Sequence, residues 1–126
     1  MMKTSYVLRR KAGMSLEEFQ TYWREVHGPL VQKYAPKIGM VRYIQVHAVP
    51  PPAERRSDPI RGEMFEPYDG IAEWWIDPAG ATGTPEERRE AGRVLAEDEA
   101  NFIDFSRSCM TRGEEIYKVG PPTPVR

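Results

Sequence analysis

The stretch from Met14 to Leu30 constrains the fold more than any other part of the chain. Ser15-Leu16-Glu17-Glu18 is a capping box. The Ser15 hydroxyl serves the Glu18 amide and the Glu18 carboxylate returns to the Ser15 amide, so a helix begins there. Met14 before the cap and Phe19 after it are placed to form a hydrophobic staple. Leu16, Phe19, Tyr22, Trp23 and Val26 recur at helical spacing and make one apolar face. His27-Gly28-Pro29 reads as a stop, because glycine favours a helix end and proline cannot extend the hydrogen-bond ladder. A helix with this much aromatic surface has to lie on something apolar.

The rest of the chain supplies it. Thr84-Pro85-Glu86-Glu87 is a second helix start, with a cap, a proline at the first helical position and an acidic first turn. Ala91, Leu95, Phe102 and Phe105 continue its apolar stripe, with a break expected near Asp98. Thr4–Arg9, Met40–Val49 and Asp69–Ile76 read as strands, and Glu114–Val119 as a weaker one. The order β-α-β-β-α-β predicts an α+β, ferredoxin-like fold: an antiparallel sheet with both helices on one face. The other face carries Tyr, Trp, Val and Ile and has to be covered. The simplest cover is a second copy across a two-fold axis, so a homodimer through the open sheet face, a dimeric α/β barrel, is expected.

With 126 residues, 40% of them hydrophobic and 29% charged, the chain fits one globular domain, expected over residues 1–119. Of its 12 prolines, five fall within residues 49–67, a long connection without periodicity that suggests a lid or a dimer-embracing arm. Residues 120–126 form a Pro-rich tail. A net charge of −1 gives no basic face, so neither nucleic acid nor an anionic membrane is an expected partner. A single cysteine, Cys109, excludes an intrachain disulfide and suits a reducing cytoplasm. Met1-Met2-Lys3-Thr4 opens no apolar signal core and no run is long enough to span a membrane.

The segment Tyr22-Trp23-Arg24-Glu25-Val26-His27-Gly28-Pro29, at the end of an aromatic-rich helix, resembles the EthD-like family of dimeric α/β-barrel proteins. Arg9–Ser15, Tyr43–His47, Tyr68–Glu73 and Phe102-Ile103-Asp104 are similar to the same family. The resemblance covers most of Thr4–Val119, leaving the Pro-rich loop and the tail outside it. It implies either a cofactor-free enzyme that decarboxylates or dehydrates aromatic polyketide-like compounds, or a companion of oxygenase systems in the breakdown of ethers. The wider superfamily adds cofactor-free monooxygenases and lactone isomerases, and the fold does not choose among these.

Taken with what the resemblance implies, the residues lead to an expectation of proton transfer on a hydrophobic, oxygenated or aromatic small molecule. His27 closes the first helix and titrates near neutral pH, which suits a general acid or base; the competing role is a helix cap. Strand alternation sets Val41, Tyr43, Gln45 and His47 on one face, a row too polar for a packed core and therefore cavity-lining. Asp69, Ile71, Glu73 and Trp75 share one face of the third strand, opposite Gly70, Ala72 and Trp74. Small Gly70 and Ala72 would admit a helix. Glu73 is either a carboxyl acid or base among aromatics or an ion-pair partner of Arg42 or Lys118. The expected catalytic set is His27 with His47 or Glu73, and the expected substrate-binding set is Tyr22, Tyr43, Gln45, Tyr68, Asp69, Trp74 and Trp75. Neither histidine stands at i, i+4 from another ligand, and Gly80–Thr84 lacks the spacing of a phosphate loop, so neither metal nor cofactor is expected.

Overall fold

The computed structural model describes residues 2–50 and 57–122. Residues 51–56 of the expected loop and 123–126 of the tail lie outside them. β1 (Lys3–Leu8), β2 (Met40–His47), β5 (Gly70–Ile76) and β6 (Cys109–Gly113) form one antiparallel sheet in the order β2-β5-β1-β6. α1 (Leu16–Tyr22), a π-helical turn (Trp23–His27) and α2 (Gly28–Ile38) make the first helical arm, and α3 (Pro85–Glu99) the second. Each strand that follows a helix lands beyond a strand of opposite direction, the split arrangement that the β-α-β-β-α-β order predicts. Both capping boxes are in place, at Ser15 with Glu18 and at Thr84 with Glu87.

The helical arm does not stop where the sequence suggests. The backbone runs on through Gly28 and Pro29, with Pro29 in the first turn of α2, and ends at Gly39. Proline has no N–H to give, and the chain accommodates it by widening the turn before it: the Gly28 amide bonds to the Trp23 carbonyl, five residues back. The buried positions explain the wider turn. The buried side chains of the arm are Phe19, Trp23, His27 and Val31, one in every four, with Gly28 buried next to His27, whereas Val26 is exposed. Steps of four overshoot an α-helical turn by about 40° each. A stripe at that spacing stays on one face only if the helix unwinds locally.

Two glycines set the distance between the layers. Gly39 ends the arm at φ +77°, where a side chain would also run into the Asp77 carbonyl. Gly70 lies under the Trp23 indole, and a Cβ there would stand 2.4 Å from Cζ3 of that ring. The largest fully buried side chains, Trp23, Phe19, Phe102 and Leu8, fill the layer between sheet and helices.

Two other expectations are corrected. The fourth strand is Cys109–Gly113, not Glu114–Val119, because the stretch that reaches β1 in register pairs Ser5 with Thr111 and Tyr6 with Met110. A register shift between Met40 and Arg42 turns Met40 into the same cavity wall as Tyr43 and leaves Val41 exposed. Within the long connection, β3 (Ser57–Asp58) and β4 (Gly62–Glu63) form a short hairpin, closed by the Ile60 and Arg61 amides donating to the Asp58 carboxylate.

Candidate functional site

A cavity of about 170 Å³ lies between the sheet and the two helical arms. β1 and β5 supply Tyr6, Leu8 and Trp74; β2 supplies Tyr43; the first arm supplies Trp23, His27 and Val31; α3 supplies Leu95 and Glu99. Aliphatic and aromatic residues make most of the wall, and the lining residues that carry an ionisable or hydroxyl group are His27, Glu99, Tyr6 and Tyr43. An apolar cavity with a few convergent polar groups is the usual form of a small-molecule site.

His27 is the last residue of the π-turn and is buried. Its Nδ1 is 2.8 Å from Asp98 Oδ2 on α3, and its ring packs on Phe102 with centroids 5.1 Å apart. Asp98 also accepts the Tyr22 hydroxyl at 2.6 Å, and Asn101 Nδ2 donates to both the Tyr22 oxygen, at 3.0 Å, and Asp98. Burial opposes ionisation of Asp98, but the bonds from Tyr22 and His27, the neighbouring histidine charge and Asn101 outweigh it and hold its pKa below the usual carboxylate range. Burial pulls the His27 pKa below 6.5, and the Asp98 bond and charge do not restore it. The imidazole is therefore neutral at pH 7. With Asp98 ionised, the imidazole proton sits on Nδ1, facing the carboxylate, and Nε2 is left as the acceptor of a ring that belongs to the cavity lining.

Asp98, Glu99 and Tyr6 stand outside the site residues expected from sequence. α3 runs unbroken through Asp98, where a break is expected, and this carries Glu99 to the cavity. Glu99 follows Asp98 and lies four residues beyond Leu95, on the stripe that Ala91 and Leu95 begin. Burial first, and the adjacent Asp98 charge second, push its pKa up to about 7. Part of the Glu99 population is then a protonated acid at neutral pH, in the same cavity as a histidine that is a base. Burial and the Glu99 charge push Tyr6 up to about 12, and burial raises Tyr43. Both phenols keep their protons.

The other expected site residues are placed elsewhere. Tyr22 stands behind His27 on Asp98 and does not line the cavity. Gln45 and His47 share a face with Tyr43 but lie under Trp23: His47 stacks on the indole at 4.4 Å, and Gln45 bridges His47, Tyr43 and the Trp23 carbonyl. Burial and the Arg24 charge lower the His47 pKa. Glu73 faces away from the helices and pairs with Lys3 at 2.5 Å rather than with Arg42 or Lys118. Trp75 is on that same far face, buried between the Lys3 and Arg42 cations, and only Trp74 of the pair reaches the cavity. Asp69 accepts both the backbone N–H and a guanidinium N–H of Arg10, and Tyr68 lies 4.2 Å below the Arg9 guanidinium. Both hold the chain at the end of the sheet. Among the described residues no three His, Cys, Asp or Glu side chains stand together as a metal would require, and no helix is long and apolar enough to cross a membrane.

The fold and the cavity define an α+β protein of ferredoxin-like architecture with a small-molecule-sized pocket between its layers. The model of the EthD domain matches residues 11–106, and the chain belongs to that family. Similar solved structures include an ethyl tert-butyl ether D family protein from Bacillus halodurans, 18% identical over 92% of this chain and 100% of that one, TM-score 0.56. An EthD-like protein from Ralstonia eutropha is 16% identical over 94% and 95%, TM-score 0.55. A dimeric protein of ferredoxin-like fold from Bacteroides fragilis is 14% identical over 90% and 95%, TM-score 0.50. At such identities the likeness bears on the fold. No curated protein matches the sequence.

Proposed function

We propose that this protein is a cofactor-independent enzyme that moves a proton on a hydrophobic oxygenated or aromatic small molecule. One observation carries the reading: a buried histidine that lines an apolar cavity and has its Nδ1 fixed on a carboxylate, so that Nε2 is the ring's one unclaimed nitrogen. His27 Nε2 takes a proton from carbon next to a carbonyl, and Asp98 stabilises the imidazolium that forms. Glu99, protonated in part at neutral pH, returns a proton to carbon or to a departing oxygen. Dehydration and isomerisation consist of such steps, and decarboxylation ends on one of them: once the C–C bond breaks and CO2 leaves, the enolate left behind takes a proton on carbon.

Acetophenone, a single ring with an enolisable methyl ketone, is small enough for a cavity of this size. Incubated with the protein in D2O, its methyl group is expected to gain deuterium faster than in buffer, as read by mass spectrometry. A second reading, a non-catalytic binding or accessory protein, has its own support: Tyr22, His27 and Asn101 all converge on Asp98 and tie the first arm to α3 whatever the chemistry. Acetophenone bound without exchange would select that reading.

The reading includes a homodimer. On the open face Val7, Ile44, Val46 and Ile71 form an apolar half beside a polar half of Lys3, Ser5, Arg42 and Glu73. The related Bacteroides protein is dimeric. Light scattering at micromolar concentration is expected to give twice the 14.5 kDa chain mass. A single-chain mass would remove this part of the account.

A further inference from the structure

Building on the reading of the cavity as a substrate site, we infer that the Tyr43 O–H is a fixed hydrogen-bond donor for the carbonyl or enolate oxygen of the substrate, aimed by Trp23, Gln45 and His47. The Tyr43 oxygen accepts Trp23 Nε1–H at 3.1 Å and Gln45 Nε2–H at 3.2 Å. Its acceptor capacity is thereby used, and what remains is the proton it donates. Among the described residues no acceptor meets that proton, and the residue forms part of the cavity wall.

The two donors cannot exchange roles with it. An indole N–H only donates. The Gln45 amide is fixed in one orientation, because Nε2 also donates to the Trp23 carbonyl at 3.0 Å while Oε1 faces His47 Nε2 at 2.8 Å. His47 therefore carries its proton on Nε2, and its ring packs on the Trp23 indole with centroids 4.4 Å apart and the planes tilted by 32°. His47, Gln45 and the Trp23 indole N–H position the Tyr43 hydroxyl, and of the strand row Tyr43, Gln45 and His47 only Tyr43 lines the cavity.

The π-turn joins this device to the base. The carbonyl of its first residue, Trp23, orients Gln45, and its last residue is His27. When His27 removes a proton from carbon, negative charge gathers on the oxygen next door. A neutral phenol already aimed at that oxygen stabilises the charge without reorganising. The substrate class follows: small aromatic or alicyclic ketones and their enols, in preference to hydrocarbons of the same shape.

The test compares acetophenone with α-methylstyrene, which replaces the carbonyl oxygen by a CH2 group, using calorimetric titration of the full chain. The unmodified protein is expected to prefer acetophenone by about tenfold, the scale of one buried hydrogen bond. Tyr43→Phe is expected to erase that preference while binding α-methylstyrene as before. Infrared spectra of the unmodified protein give a second reading: the carbonyl stretch of bound acetophenone falls below its value in hexane. Equal binding of the two compounds to the unmodified protein overturns the assignment. So does a preference that survives Tyr43→Phe, or one lost in Tyr6→Phe instead. Failure of both compounds to bind overturns the substrate-site reading itself, and the inference with it.

Discussion

His27→Ala is expected to lower deuterium exchange into acetophenone by about 10²–10⁴-fold, the usual worth of a positioned proton carrier. The alanine variant also opens a hole beside Phe102 and removes one of the donors on Asp98, so its stability falls as well. His27→Gln separates the two effects. A glutamine amide can still donate to Asp98 but cannot cycle a proton at neutral pH. The expected result is a glutamine variant close to the unmodified protein in urea unfolding and as inactive in exchange as the alanine variant. Full exchange in the glutamine variant would make His27 a structural tie between the arms and leave the binding-protein reading standing.

Glu99→Gln is expected to stabilise the protein, and only at high pH. In the unfolded chain this carboxyl titrates near 4.5, and in the folded chain near 7. A raised folded value means that the stability it contributes is full below 4.5 and is lost as pH rises through 7. Above that, the fold holds an ionised carboxylate in an apolar wall, at a cost of up to about 3 kcal/mol. Glutamine does not titrate. Urea unfolding of the two proteins is therefore expected to give nearly equal stabilities at pH 4.5 and a gap in favour of the variant that opens between pH 5 and 8. The titrations of His27 and Asp98 are common to both and cancel in the difference. A gap that does not change with pH would contradict a buried, partly protonated Glu99.

Much of this architecture was legible in the sequence because local signals and burial agree there. The two capping boxes, the small residues Gly70 and Ala72 on the face toward the helices, and the shared face of Tyr43, Gln45 and His47 all follow from spacing alone. What was hidden depends on contacts between distant parts. His-Gly-Pro reads as a stop because a π-turn has no local signature, although Phe19, Trp23, His27 and Val31 at intervals of four mark it in retrospect. Gln45 and His47 miss the cavity because Trp23, admitted by Gly70, occupies the space above them. Glu73 was a carboxylate among aromatics in sequence, but its neighbour in space is Lys3. Glu99 was hidden in the acidic run Glu97-Asp98-Glu99, where charge suggests a solvated surface. Its position four residues after Leu95, on the apolar stripe, was the available signal.

The central claim is that the fold holds His27 as a neutral base whose Nε2 is the ring's one unclaimed nitrogen. The chain has only two histidines, so 15N NMR of their rings reads it directly. At pH 7 two neutral rings of opposite tautomer are expected. His27, identified by its absence in His27→Gln, carries its proton on Nδ1 and titrates below 6.5; His47 carries its proton on Nε2. An imidazolium at His27 at pH 7, or a His27 proton on Nε2, would contradict it.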